Sequence, residues 1–124
     1  MAAIGRTYHL TPDAWWRAAD PAAPLGAPSL EDEGFIHCTT GHDQMVATAN
    51  RHYREDPRPF VVLTIDLDAV TSPVRIEDER GIYPHVFGPI DRAAIVAVRP
   101  MPRAADGTFL AFETAAGSPS PAPS

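Results

Sequence analysis

The alternation of apolar and polar positions divides the chain into a few short elements. "RTYHLT", from Arg6 to Thr11, alternates with period two, which predicts a strand. Tyr8 and Leu10 share one face of it and His9 takes the other. In "TPDAWWRAA", Thr11 suits an N-cap, Pro12 the first helical position and Asp13 the positive end of a helix dipole. A short helix is expected there, stopped by Pro21 and Pro24. Asp20 to Ser29 reads as a loop, and Ser29 to Glu33 as a polar turn closed by Gly34. "FIHC" predicts the next strand, with Ile36 and Cys38 on one face and His37 opposite, beside Phe35. Thr39 or Thr40 is expected to cap a second helix running to about Arg54, with Met45, Val46, Ala49 and Tyr53 as its buried stripe.

The second half of the chain is richer in strands. "FVVLTIDL", Phe60 to Leu67, is nearly continuous in apolar residues and predicts a central strand buried on both faces. "VRIED" predicts a short edge strand. "RGIYPHVFGPI", Arg80 to Ile90, holds two prolines and two glycines and reads as a structured loop. "AAIVAVRPM", Ala93 to Met101, predicts a further core strand, and "GTFLAFE" a last edge strand. Helices early and strands late indicate an α+β fold. The expectation is one small domain, residues 6–113, with two short helices packed on a mostly antiparallel sheet. "TAAGSPSPAPS", residues 114–124, is small, polar and Pro-rich and predicts a disordered tail.

Composition narrows the function classes. A length of 124 residues with 44% hydrophobic content suits one domain with a real core. A net charge of −6 argues against general nucleic-acid binding, which needs a basic face to displace counterions, while ten Lys and Arg still allow a local basic pocket. The chain has no run of eighteen apolar residues and no charged-then-apolar leader at Met1, so no membrane association is expected. A single cysteine permits no internal disulfide, which points to the cytoplasm.

Five histidines carry the candidate chemistry. His42 and His52 fall on the expected polar side of the second helix and read as surface residues. His9 and His37 sit on strands, and His85 lies in the Pro/Gly-rich loop between Tyr83 and Phe87. Spacing alone fits either three unrelated histidines with local hydrogen bonds or one shared site. Zinc finds no close histidine pair and no CxxC motif. Cys38 as a nucleophile conflicts with its expected turn into the core. No glycine-rich phosphate loop is present. The carboxylates at Glu31–Glu33 and Glu77–Glu79 read as solvated turns, and Glu77 stands out as the end of a strand. Arg75 and Arg80 read either as surface charges or as a grip on phosphate.

The blocks "YHLT…W", "EGFIHCTT", "VVLTID", "PVRIED" and "YPHVFGPI…AIVAV", in that order, resemble the small bacterial family known as domain-of-unknown-function family 952. The resemblance runs from about Arg6 to Glu113. That family is in turn distantly similar in fold to the ADP-ribosyltransferase and RNA 2′-phosphotransferase superfamily, whose members bind NAD between two small sheets. This implies a split sheet, with NAD as a candidate cofactor. It also implies roles. His9 in "TYHLT" matches the residue that contacts the nicotinamide ribose or a phosphate. His37 in "FIHCTT" matches the motif beside the nicotinamide, and His85 in "YPHVFG" stands where an acid commonly orients the ribose hydroxyl. That departure weakens the case for glycosyl transfer, since imidazole does not stabilise an oxocarbenium ion as a carboxylate does.

The candidate site is therefore His9, His37 and His85 as catalytic residues. Tyr8, Trp15, Thr39, Thr40, Arg75, Glu77, Tyr83 and Phe87 are the candidate ligand contacts. The expected partner is a small-molecule ligand, NAD-like or phosphate-bearing. The function is either an ADP-ribosyl- or phosphotransferase-like enzyme, a non-catalytic binding module, or a biosynthetic enzyme that has reused the pocket for another substrate with Tyr83, Phe87 and Trp15 as apolar walls.

Overall fold

The computed structural model describes residues 5–114. Two three-stranded antiparallel sheets form the frame. The first has the order β1-β3-β6, from β1 (Arg6–Pro12), β3 (Phe60–Asp66) and β6 (Ile95–Pro100). The second has the order β2-β5-β4, from three two-residue strands: β2 (Ile36–His37), β5 (His85–Val86) and β4 (Val74–Arg75). Three helices complete it: α1 (Asp13–Ala18), α2 (Pro28–Glu33) and α3 (His42–His52). The predicted α+β class and split antiparallel sheet describe this arrangement. Most of the predicted tail lies outside the described residues.

The apolar run in β3 makes it the central strand, with Phe60 through Ile65 all buried. Its two faces feed two cores. Val61, Leu63 and Ile65 meet Ile36, Cys38 and Val86 of the second sheet. Phe60 and Val62 meet Met45 and Ala49 of α3 and Phe109 and Phe112 of the C-terminal segment. Burying an aliphatic side chain of this size contributes about 1.5–3 kcal/mol, so the Leu63 side holds the sheets together and the Val62 side holds α3.

Several elements differ from the sequence expectation. Among the described residues there are three α-helices, not two, because α2 forms in the segment read as loop and turn. Pro28 sits at its start and Gly34 ends it in the left-handed region at φ 89°, the Pro-first, Gly-last pattern of a real helix. β1 continues through Thr11 and Pro12, so neither residue opens α1, which begins at Asp13 with no side-chain cap. Gly41, not Thr39 or Thr40, precedes α3, and α3 ends at His52. The "YPHVFG" segment read as loop contains β5, the middle strand of the second sheet. "VRIED" supplies only Val74–Arg75. Of "AAIVAVRPM", Ile95–Pro100 is an outer strand with no fully buried residue, not a core strand; the buried residues of that stretch, Ala94 and Met101, flank it. "GTFLAFE" forms a single bridge, Arg103 to Phe109. A further anchor is Asn50 of α3, whose carboxamide oxygen accepts from the Phe109 N–H at 2.7 Å while its amide donates to the Phe109 carbonyl at 3.1 Å.

The sheets touch through one backbone bridge. Tyr8 and Thr39 exchange both hydrogen bonds, at 2.9 and 2.8 Å. Beside it the Thr40 hydroxyl donates to the Thr7 hydroxyl at 2.9 Å. Beyond the bridge the strands part, and a cleft opens along the free edge of β1.

Candidate functional site

The cleft has a volume of about 810 Å3, within the range typical of small-molecule sites. Its long wall is β1 from Tyr8 to Pro12, with α3 on one side and α1, α2, β2 and the Asp78–His85 stretch on the other. His9 explains why the gap exists. Its Nδ1 lies 2.8 Å from the His37 carbonyl, so that nitrogen carries the proton and donates. In a continuing antiparallel ladder that carbonyl would belong to the Leu10 N–H. The imidazole takes the place of the next rung and holds β1 and β2 apart.

Two consequences follow for chemistry. The Tyr8 N–H and C=O point away from β3, towards Thr39. Leu10, two residues on, directs its N–H and C=O to the same edge, where β2 has turned away. A backbone donor and acceptor thus face the cleft side by side. Second, His9 is buried, 8% exposed, and burial pushes its pKa below the ordinary imidazole value, against an opposing contribution from the His37 carbonyl bond. The ring is neutral at pH 7 with Nδ1 protonated. Nε2 then carries a lone pair, makes no hydrogen bond among the described residues, and belongs to a side chain lining the cleft.

His37 and His85 stand directly opposite each other on β2 and β5, their rings 5.5 Å apart. Phe35 stacks on His85 at 4.1 Å and meets the His37 ring edge at 4.8 Å, fixing both planes. The end of α2 brings Glu33 to within 3.2 Å of His37 Nε2; both side chains are half exposed. Asp78 accepts from the Ile82 and Tyr83 N–H groups at 2.8 and 2.9 Å, which shapes the turn that delivers Tyr83 and His85. Those bonds hold its carboxyl below the usual carboxylate range. Of the three cleft carboxylates, Glu33 faces His37 and Asp78 is bound to backbone, leaving Glu77 with no partner among the described residues.

Of the candidate residues, the cleft brings together His9, His37, His85, Tyr8, Trp15, Thr39, Glu77 and Tyr83. Three are elsewhere. Thr40 is turned to Thr7. Phe87 packs on Phe35 at 5.2 Å, outside the cleft, and the Arg75 guanidinium covers Phe87 at 5.3 Å. Arg80 does not line the cleft either. The cations that do are Arg51 and Arg58, which the sequence reading passed over. Arg51 lies near the end of α3, three residues beyond Thr48. Arg58 was hidden in the break after the helix. His42 is not a surface residue as expected: its Nε2 bonds the Phe112 carbonyl at 2.9 Å and its ring lies 4.4 Å from Phe112. His9 also departs from expectation, since its side chain is enclosed between the sheets rather than projecting from the core. Cys38 is 3% exposed, and burial pushes its thiol up to about 12, which leaves no thiolate at neutral pH. Among the described residues no group of three His, Cys, Asp or Glu is placed to hold a metal ion, and no helix is long and apolar enough to cross a membrane.

The fold is that of a small α+β protein with a cleft at the junction of two antiparallel half-sheets. The family described as "Protein of unknown function (DUF952)" matches residues 10–98, and the chain belongs to it. No curated protein matches. The crystal structure of protein CC0527 from Caulobacter crescentus is similar in fold, with a TM-score of 0.71 and 23% identity over 85% of this chain and 93% of that one. The solution structure of the same protein gives 0.61 and 23% over 82% and 89%.

Proposed function

We propose that the cleft binds a small NAD-like, phosphate-bearing ligand and that His9, His37 and His85 hold its reacting part. The observation that carries this is His9: a buried, neutral imidazole whose one bonded nitrogen keeps the sheets apart and whose other nitrogen is left for a ligand. Nε2 opens on the cleft, where it can accept from a ligand donor such as a ribose hydroxyl.

The neighbouring groups fit the same ligand. The paired Leu10 N–H and C=O match the two complementary groups of a primary carboxamide, as in nicotinamide. Glu77 offers a carboxylate that can accept from a hydroxyl, which eases the objection raised by a histidine in the acid's place. Arg51 and Arg58 supply positive charge for phosphate. The distant ADP-ribosyltransferase resemblance supports the same ligand class. In an enzyme of that kind, His9 would take a proton at Nε2 and Glu77 would orient the ribose; in a binding module, both would only hold it.

Calorimetric titration with NAD, ADP-ribose and ADP tests the reading. Wild-type protein should bind at least one of them. His9→Gln keeps an amide donor for the His37 carbonyl but repositions the acceptor, and should weaken binding by about 1–3 kcal/mol. No heat with any of the three at millimolar concentration, from protein shown to be folded, would sink the nucleotide reading. Consumption of NAD by wild type but not by Glu77→Gln would make the protein an enzyme; binding without consumption would make it a binding module.

A further inference from the structure

The cleft has two unlike ends. β1 runs between them, and Pro12 is three residue steps along the strand from His9, about 10 Å. At the inner end are His9, His37 and His85, while His52, its ring 6.3 Å from that of Tyr53, lines the outer end. The outer end is built around Phe60, the partner of Pro12 across the β1–β3 ladder. Tyr53, just past α3, lies 5.4 Å from the Phe60 ring. Trp15, on α1, is covered on one side by the Arg58 guanidinium at 4.9 Å. Asp56 grips Arg58 at 2.7 Å, and this bond holds the Asp56 carboxyl down at about 2.

Trp15 and Tyr53 are among the few large apolar side chains of the described residues that stay substantially exposed, at 46% and 39%, and both line this end of the cleft. Neither exposure is needed for folding, because the core behind them is closed by Phe60. Exposed aromatic faces beside a cation favour a flat, electron-delocalised ring. The cation is also specific. Arg58 is already bound to Asp56, whereas Arg51, which also lines the cleft, has no hydrogen-bond or ion-pair partner among the described residues.

We propose that the outer end is a ring-and-phosphate subsite: Trp15 and Tyr53 hold a planar heteroaromatic ring and Arg51 binds the phosphate attached to its sugar. This deepens the reading above and rests on it. It assigns a direction to the ligand, base outward and reacting ribose towards His9.

The test uses adenosine 5′-monophosphate, adenosine and ribose 5-phosphate as probes, read by tryptophan fluorescence and calorimetry. The monophosphate should quench fluorescence and bind more tightly than either fragment. Trp15→Leu should lose the quench and about tenfold in affinity, and Trp15→Phe should recover most of the affinity. Arg51→Gln should cost about tenfold for the monophosphate and nothing for adenosine. If NAD binds in a His9-dependent way while Trp15→Leu, Tyr53→Leu and Arg51→Gln change nothing, the subsite is overturned and the histidine reading stands. If neither NAD nor the monophosphate binds wild type, both fall. Tighter binding of single-stranded oligoadenylate than of the monophosphate would overturn the assignment to a free mononucleotide.

Discussion

His9 is where a single side chain decides most. Its lowered pKa gives stability a defined pH dependence. The unfolded state has the ordinary imidazole value, 6.5, and the folded state a lower one. Above 6.5 both states are neutral and the contribution is constant. As pH falls below 6.5 the unfolded chain takes up a proton that the folded chain refuses, so stability is lost on the way down to the folded value. Thermal melts of wild type from pH 7.5 to 5 should therefore show a decline that is smaller in His9→Gln. An equal decline in both proteins would mean that other groups set it. Cys38 gives a second check at this scale: native protein should react with a thiol reagent far more slowly than unfolded protein, because the thiol is enclosed and protonated.

The individual elements show what was legible and what was not. β3 was readable because a run of apolar residues longer than any helix face demands a strand buried on both sides. β1 was readable from its alternation. β2, β4 and β5 are two residues each, too short to have a period, and β5 sits among prolines and glycines that signal a loop. Only its pairing with β2 on one side and β4 on the other makes it a strand. α2 was missed for a similar reason, since its six residues carry no buried one. His85 could thus be named as a candidate while its support, the middle of a sheet, stayed invisible. Arg51 and Arg58 were missed because nothing local distinguishes a charge facing a cleft from one facing solvent.

The C-terminal segment belongs to this scale too. Sequence suggested an edge strand, and the structure replaces it with the two-way amide bond of Asn50 to Phe109. Asn50→Ala removes the partners of both the Phe109 N–H and the Phe109 C=O. The expected loss is about 1–3 kcal/mol, read by urea denaturation. A change below about 0.5 kcal/mol would show that packing of Phe109 and Phe112 holds the segment without it.

In the molecule as a whole, two half-sheets are joined by one backbone bridge and a shared core. Thr40, expected at the ligand, contributes to that joint instead. Thr40→Val keeps the shape and removes the bond to Thr7, so stability should fall by about 0.5–1.5 kcal/mol while nucleotide affinity stays unchanged. Lost affinity with unchanged stability would return Thr40 to the ligand. The division of labour explains why function was harder to read than fold. The core residues reveal themselves by period, but the cleft is made by the departure of β2 from β1 after one rung, which depends on residues 28 positions apart in sequence.

The free edge of β1 has a further meaning for the life of the protein in a crowded solution. Unpaired strand edges recruit strands from other molecules and begin aggregates. This one is bounded closely. Tyr8 is already paired with Thr39, and Pro12 has no N–H to offer. Between them Leu10 alone presents a donor and an acceptor together. One such residue is enough to grasp a carboxamide and too little to template a ladder. A stretch of open backbone is thereby kept from becoming a seed for self-association.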